Sequence, residues 1–322
     1  MTTTPTCLVT GSAGFIGFRL SQSLLDDGWD VVGVDAFTDS YDQAEKRGRA
    51  ALLQRRHGYR HVTGDLVDLP LETHLRGVTT IFHLAGRAGV RDSFELTSKY
   101  VHDNVEATVR LLDSARRTSS VRRLVYASSS SVYGDAPLPL CETGQPGPIS
   151  PYGQTKLDAE RLCLAASTAG GLEAVALRYF TVYGPGQRPD MALRRFIEAA
   201  LAGRPLHLYG DGSQSRDFTY VDDIVAATRL AADAPADGTA INVGGGTRIT
   251  LSATLDLLCE VVGRPLVIER TAAARGDVRH TWADLTRAES LLGFRPRVDL
   301  RQGLAAEADW LRASAAMQRQ SA

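Results

Sequence analysis

The sequence contains very little lysine. Among 322 residues only Lys46, Lys99 and Lys156 occur, yet arginine is so frequent that 36 basic residues face 37 acidic ones and the formal net charge is −1. A balanced charge does not suit a protein that binds nucleic acid or an anionic membrane. We therefore expect neither partner, and we expect each lysine at a position that tolerates or requires one.

Long apolar runs and paired cysteines are also absent. No run reaches the eighteen or so residues of a membrane-spanning helix, and "MTTTPTCLVTGSAG" lacks the charged start and apolar core of a signal peptide. We therefore expect a cytoplasmic location. The four cysteines lie far apart without a CxxC pair or a histidine cluster, which argues against zinc and a disulfide framework. They are interpreted as reduced packing residues, and no metal is expected.

Short β-branched runs alternate with helix-length amphipathic stretches along the first half of the chain. "TCLVTG", "DVVGVD", "TTIFHLAG" and "RRLVYASS" read as strands, and the segment Phe15 to Asp27 reads as a helix. This alternation predicts an α/β fold, a Rossmann-type doubly wound parallel sheet, with a smaller, discontinuous C-terminal substrate domain. We assign 1–180 to the first domain, 181–216 and 248–322 to the second, and about 217–247 to a return into the first.

Three glycines directly follow the first predicted strand and open a helix. In "GSAGFIG", Gly11, Gly14 and Gly17 are spaced by threes, and Asp35 ends the second strand about twenty residues later. Backbone N–H groups at such a helix start bind a pyrophosphate, while the acid accepts from a ribose hydroxyl and repels a 2'-phosphate. The pattern predicts NAD rather than NADP. The alternative is a tight turn followed by an ordinary strand-end acid.

Tyr152 and Lys156 stand one turn apart at the start of another predicted helix. In "ISPYGQTKLDAERL", Ser150 is a good N-cap and Pro151 a good first helical residue. An adjacent ammonium, a positive nicotinamide ring and the helix N-terminus all favour the phenolate, so this tyrosine can take a proton from an alcohol. Such a pair also occurs by chance on exposed helices, but the scarcity of lysine favours the catalytic interpretation.

With these motifs, nearly the whole chain resembles an extended short-chain dehydrogenase/reductase. The resemblance implies that Ser129, at the end of the preceding strand, works with Tyr152 and Lys156, and that Asn104 and Tyr179 contact the cofactor or support the fold. It also implies a homodimer formed through the helices near Asn104 and Tyr152. The predicted cofactor-binding residues are Gly11, Gly14, Phe15, Ile16, Gly17, Asp35, Asp39, Asp65, Leu66, Leu84, Ala85, Gly86, Arg87, Asn104, Tyr152, Lys156 and Tyr179.

The predicted second domain offers arginines rather than acids. Arg188, Arg216 and Arg275 are candidates for a diphosphate, because guanidinium groups pair well with phosphate oxygens. Solvated surface charge is the alternative for any one of them. The segments around Arg216 and Arg275 resemble the nucleotide-sugar branch of the family, which implies a UDP-sugar substrate. Tyr209 in "LHLYG" is predicted to pack against the uracil.

Four consecutive serines in "YASSSSVYG" distinguish this chain within that branch. Dehydratases carry an Asp-Glu pair at the positions of Ser130 and Ser131, and UDP-glucuronate decarboxylases typically have Glu at Ser131. Thr181 stands where UDP-glucose 4-epimerases usually have Asn. A substrate that brings its own carboxylate would be repelled by a protein acid but held by hydroxyls. Ser130, Ser131 and Thr181 are therefore predicted to bind a C6 carboxylate, with Ser129 shared between this carboxylate and the C4 hydroxyl.

The serine run and "FTVYGPGQRPDM" together resemble the UDP-glucuronate 4-epimerases. This resemblance implies reversible NAD-dependent epimerisation at C4, which converts UDP-glucuronate to UDP-galacturonate through a 4-keto intermediate. UDP-glucose 4-epimerase and UDP-glucuronate decarboxylase remain alternatives. A non-catalytic NAD-sensing scaffold protein is an alternative from another class.

Overall fold

The computed structural model describes residues 4–168, 171–271 and 278–321. It contains β-strands interleaved with α-helices, as the sequence predicts. The strands are β1 (Thr6–Thr10), β2 (Asp30–Asp35), β3 (Tyr59–Thr63), β4 (Thr80–His83), β5 (Arg123–Ser129), β6 (Glu173–Tyr179), β7 (Thr181–Tyr183), β8 (Leu206–Tyr209), β9 (Ser215–Tyr220), β10 (Thr239–Val243), β11 (Arg248–Thr250) and β12 (Ile268–Thr271). The helices are α1 (Phe15–Asp26), α2 (Gln43–Gln54), α3 (Leu71–His74), α4 (Thr97–Tyr100), α5 (Ala107–Arg117), α6 (Pro151–Thr168), α7 (Ala192–Ala202), α8 (Val221–Asp233), α9 (Leu251–Val262), α10 (Thr286–Leu292) and α11 (Leu300–Ser321).

Seven parallel strands form the central sheet in the order β10-β6-β5-β4-β1-β2-β3. The chain winds outwards from β1 in one direction through β2 and β3, and in the other through β4, β5 and β6. The predicted doubly wound Rossmann sheet is therefore confirmed. Strand order reverses between β1 and β4, and in such sheets a ligand binds in the crevice at the carboxyl ends of the strands there.

Apolar side chains cover both faces of this sheet. Leu8 and Leu124 belong to a core on one face, whereas their neighbours Val9 and Val125 belong to a core on the other. Adjacent strand residues point to opposite faces, so a strand buried on both sides is continuously apolar. This explains why "TCLVT" and "RRLVYA" lack the alternation of a half-exposed strand.

Outside the large sheet, the described residues form two small sheets and a separate apolar core. One sheet has the order β11-β9-β7 and the other pairs β12 with β8, and Tyr183, Phe196 and Leu258 are buried in this part. Helix α8 packs on α1, and β10 joins the edge of the large sheet beside β6. These two elements lie within the predicted return segment 217–247, while β9 at its start belongs to the three-stranded sheet.

None of the helices in the described ranges combines the length and hydropathy needed to cross a bilayer.

Candidate active site

The glycine-rich turn brings the start of α1 against the loop after β4. Gly11 has a φ of 68°, and a Cβ at this residue would lie 2.9 Å from the amide nitrogen of Ala85. A Cβ at Gly17 would lie 2.1 Å from the carbonyl oxygen of Gly11. Helix α1 begins without a side-chain cap and without an acid in its first turn. Its free N–H groups and positive dipole end therefore suit an anion such as a pyrophosphate.

Asp35 ends β2 beside this turn. Its carboxylate accepts hydrogen bonds from the backbone N–H of Ala13 at 3.0 Å and of Phe37 at 2.8 Å, which fix its orientation. Nearly all predicted cofactor residues line one cavity with it: Gly11, Gly14, Phe15, Ile16, Gly17, Asp65, Leu66, Leu84, Ala85, Gly86, Arg87, Tyr152, Lys156 and Tyr179. The fold thus gathers residues that are spread over more than half of the chain.

Asn104 and Asp39 do not line this cavity. The buried Asn104 amide accepts from the backbone N–H of Arg87 at 2.7 Å and donates to the Arg87 carbonyl at 3.1 Å and to Thr155 Oγ1 at 3.0 Å. It lies in a π-helical turn, Val101–Glu106, between α4 and α5. Asn104 therefore holds the loop after β4 to α6. Asp39 forms ion pairs with Arg87 and Lys99.

Helix α6 presents the predicted catalytic pair at the end of β5. Ser150 Oγ accepts from the backbone N–H of Gly153 at 3.1 Å, so the predicted N-cap is confirmed. Lys156 is buried, and its ammonium lies 4.4 Å from the centroid of the Tyr126 ring. Within the described ranges this ammonium has no hydrogen-bond acceptor. A buried ammonium with unused donors fits the ribose hydroxyls of a dinucleotide.

Burial dominates the electrostatics of this pair. It lowers the pKa of Lys156 to about 8, although the nearby Cys163 and Glu160 act in the opposite direction. It also raises the pKa of Tyr152, while hydrogen bonding to the Ser129 hydroxyl and the positive charge of Arg188 act to lower it. The Ser129 hydroxyl and the Arg188 guanidinium therefore act in favour of the phenolate form of Tyr152.

A buried ion pair lies behind Lys156. Arg178 on β6 donates to Glu160 Oε1 at 2.6 Å, and Ser128 Oγ donates to Glu160 Oε2 at 2.6 Å. Arg178 also donates to the hydroxyl of Tyr133 at 2.8 Å, which itself donates to Asn242 Oδ1 at 2.6 Å. The network joins α6 to the ends of β5, β6 and β10. The prediction from sequence did not include it, although Glu160 stands one turn after Lys156.

The serine turn sits directly on the first turn of α6. Ser129 Oγ accepts from the backbone N–H of Ser131 at 3.1 Å and caps the 3₁₀ turn Ser130–Val132. A Cβ at Gly153 would lie 2.6 Å from the Ser131 carbonyl oxygen, so the turn and the helix are in close contact. Ser130, Ser131 and Thr181 are half-buried. No acidic side chain stands in this turn.

The arginines that were predicted to bind the diphosphate lie in different surroundings. Arg188 lines the cavity and donates to Asp190 Oδ2 at 2.6 Å. Arg216 donates to the carbonyls of Ser215 and Arg279 at 3.0 and 3.1 Å. Arg275 lies outside the described residues. Tyr209 on β8 faces the guanidinium of Arg91, which lies 4.1 Å from its ring centroid.

The cavity also contains residues that the sequence analysis missed. The segment after β2 contributes Thr38, Ser40 and Tyr41, and α2 contributes Lys46; the others are Val34, Ala36, Gly64, Ala88, Asp103, Ala107, Ala127 and Ser128. The buried Lys46 donates to the carbonyl of Thr38 at 2.8 Å and to Ser40 Oγ at 3.1 Å. The scarcity of lysine was a signal that could have identified this residue.

Comparisons with known proteins agree with this geometry. Residues 7–244 match the model of the NAD dependent epimerase/dehydratase family. The chain is 37% identical to a UDP-glucuronate 4-epimerase of Thermodesulfobacterium geofontis, over 94% of this chain and 95% of that protein. A solved structure of a Bacillus cereus UDP-glucuronic acid 4-epimerase with UDP-glucuronic acid and NAD is 36% identical, with a TM-score of 0.93, and the match covers 96% of this chain and 99% of that one. MoeE5, solved with NAD and either UDP-glucuronic acid or UDP-glucose, is 43% identical, with a TM-score of 0.87 and the same coverage.

Proposed function

The chain belongs to the NAD dependent epimerase/dehydratase family, and we propose that it is an NAD-dependent isomerase that interconverts UDP-glucuronate and UDP-galacturonate by inversion at C4. The observation that carries this proposal is the serine turn against α6, where the Ser129 hydroxyl lies next to Tyr152 and no acidic side chain stands in the turn. The named relatives that act on or bind UDP-glucuronate support the same substrate.

Tyr152 acts as the general base and later as the general acid. Its hydroxyl, whose pKa the neighbouring Ser129 hydroxyl acts to lower, removes the proton of the C4 hydroxyl and returns it after the sugar has turned over. The charged Lys156 stabilises the phenolate form and orients the ribose of the cofactor. The glycine-rich turn, Asp35 and Lys156 would hold NAD, which would supply the acceptor and donor for the hydride at C4 of the sugar.

The hydroxyls of Ser130, Ser131 and Thr181 hold the C6 carboxylate. The 4-keto sugar is a β-keto acid, which loses carbon dioxide when the bond from C5 to the carboxylate aligns with the carbonyl π system. Hydrogen bonds from neutral hydroxyls restrain this carboxylate without the repulsion that a protein acid would add. We propose that these three residues bind the substrate in this way, with Arg188, Arg216, Arg275 and Tyr209 at the nucleotide.

UDP-glucuronate that carries deuterium at C4 tests the proposed reaction. We expect the label to appear at C4 of UDP-galacturonate without solvent hydrogen there, because the hydride leaves and returns within one site. C5 should keep its hydrogen, since no acid pair is present to enolise the ketone. Mass spectrometry and NMR of the products measure both positions.

The other outcomes identify the alternatives. Carbon dioxide in amounts equal to the substrate, with a UDP-pentose product, would make the protein a decarboxylase. Inversion of UDP-glucose but not of UDP-glucuronate would make it a UDP-glucose 4-epimerase. Tight NAD binding without turnover of any UDP-sugar would favour the scaffold protein.

Replacing Ser131 by Glu should weaken binding of UDP-glucuronate more than binding of UDP-glucose. The new carboxylate would repel the C6 carboxylate, whereas the neutral sugar meets only the larger side chain. Isothermal titration of the NAD-bound protein measures both affinities. Ser131→Gln is the matched control, because it adds the same bulk without charge. Equal losses for the two sugars in Ser131→Glu would show that Ser131 does not face the carboxylate.

We further propose a cytoplasmic homodimer. Leu96, Val101, Val109 and Leu162 are large apolar residues that remain at least 37% exposed on or near α4, α5 and α6. Apolar side chains exposed near one another are typical of a subunit interface. A monomeric mass in sedimentation velocity would overturn the dimer, and recovery in the membrane fraction of cells would overturn the location.

A further inference from the structure

The segment between β2 and α2, residues 36–42, forms a strap at the mouth of the cofactor cavity. Phe37 anchors it, because its ring is buried against Ala13 and Ala50. Thr38, Ser40 and Tyr41 line the cavity together with the glycine-rich turn. One side of the strap thus belongs to the binding site, and the other faces solvent.

The strap is fastened to its own side of the cavity by two basic residues of α2. Lys46 Nζ donates to the Thr38 carbonyl at 2.8 Å and to Thr38 Oγ1 at 3.1 Å, and Arg49 donates to the Tyr41 hydroxyl at 3.0 Å. Both basic residues are buried. Their interactions hold the strap, which turns at residues 39–40, between Asp35 and the start of α2.

Asp39 fastens the strap to the opposite side. Its Oδ1 lies 3.0 Å from Arg87 Nη2 and its Oδ2 lies 3.1 Å from Lys99 Nζ. Arg87 follows β4, which adjoins β1 on the side away from β2, and it is held there by Asp103 at 2.7 Å. The Asp39 carboxylate, 64% exposed, therefore bridges the crevice in which a dinucleotide lies.

We propose that Asp39, with Arg87 and Lys99, is a latch that controls how fast NAD enters and leaves, rather than a residue that binds NAD. The inference rests on the cofactor part of the proposed function and is independent of the sugar. The reaction needs such retention, because cofactor lost between the two hydride transfers would leave a keto sugar that cannot be reduced. Asp39 itself lies outside the cavity, so its carboxylate need not contact the dinucleotide.

The latch and a direct ligand differ in their kinetic signatures. The bridge joins two parts of the protein and is present without ligand, so weakening it should speed entry and exit alike and leave affinity unchanged. A residue that binds NAD directly would, when replaced, speed exit alone and weaken affinity. A purely structural ion pair would change neither rate.

Asp39→Asn tests this on the full-length protein without any UDP-sugar. Dissociation is measured by chasing bound radiolabelled NAD with unlabelled NAD, and association by rapid mixing. We expect both rates to rise about fivefold, the effect of roughly 1 kcal/mol for two partly exposed ion pairs, with Kd within about twofold. Lys99→Met should give a smaller increase of the same kind. The matched control is Asp309→Asn on α11, where the exposed Asp309 carboxylate pairs with Arg312 at 2.7 Å; this substitution should change neither rate.

Two outcomes would overturn the latch. Faster dissociation with unchanged association and weaker affinity would make Asp39 a ligand of NAD, and unchanged rates in both Asp39→Asn and Lys99→Met would leave the ion pairs a structural role only. Failure of the protein to act on UDP-glucuronate would leave these rates interpretable, because no sugar is present. Thermal unfolding of Asp39→Asn checks that the exposed substitution leaves the fold intact.

Discussion

Tyr152→Phe should turn over UDP-glucuronate at least about 100-fold more slowly than the native protein, the scale expected for a lost general acid-base group. Phenylalanine keeps the ring, whose centroid lies 6.2 Å from that of Tyr100, and removes only the hydroxyl beside Ser129. NAD should remain bound, because the ring does not carry the pyrophosphate. Initial rates and the NAD content of the purified protein measure the two properties.

Tyr100→Phe is the matched control for this substitution. The Tyr100 hydroxyl donates to the Gly89 carbonyl at 2.8 Å, and its ring packs edge-on against Tyr152. Loss of the Tyr100 hydroxyl should reduce turnover far less, because this hydroxyl carries no proton to or from the sugar. Lys156→Met should match Tyr152→Phe in size, because the ammonium that favours the phenolate is lost. A native rate in Tyr152→Phe or Lys156→Met would refute that residue's catalytic assignment.

The second large effect concerns stability. Glu160→Gln should lower the free energy of unfolding by about 3–5 kcal/mol, because the buried guanidinium of Arg178 would lose its counter-charge. Both side chains are at most 5% exposed. Urea unfolding followed by circular dichroism measures the loss. The change lies behind Lys156, so a fall in turnover should accompany the loss of stability.

Glu289→Gln provides the comparison. Glu289 pairs with Arg295 on the surface, where both side chains are more than half exposed, and its replacement should cost less than about 1 kcal/mol. The double variant Glu160→Gln with Arg178→Met should recover stability relative to Glu160→Gln, since no buried charge then remains unpaired. If Glu160→Gln lowered the free energy of unfolding as little as Glu289→Gln does, burial of the ion pair would not be what makes it important for stability.

Sequence reasoning succeeded where function depends on local spacing. Gly11, Gly14 and Gly17 lie in one turn, and Tyr152 and Lys156 lie one helical turn apart. Residues this close along the chain are also close in space, so their spacing in the sequence is enough to predict that they act together. The doubly wound parallel sheet followed from the alternation of buried strands and helices. Asp35 could be placed because it ends a strand next to the glycine-rich turn.

Ion pairs between residues far apart along the chain could not be predicted from local sequence patterns. Asp39 was predicted to bind the cofactor, but the structure places its oxygens on Arg87 and Lys99, which lie 48 and 60 residues further along the chain. Glu160 was overlooked because its partner Arg178 lies on a different element. Arg188 was predicted only as a ligand of the sugar diphosphate, and its place in the cavity and its influence on the pKa of Tyr152 were not foreseen. Charge partners of this kind are fixed by tertiary contacts, which no local pattern encodes.

The return of the chain to its first sheet delays folding during synthesis. Strand β6 leaves the ribosome before its neighbour β10, and roughly 60 residues between them take about 3–12 s to translate at 5–20 residues per second. During that interval the edge of β6, with its buried Val175 and Leu177, has no strand to pair with. An unpaired apolar edge is a template for aggregation. Slow translation of the second domain therefore prolongs the exposure of this edge and increases the need of the nascent chain for chaperones.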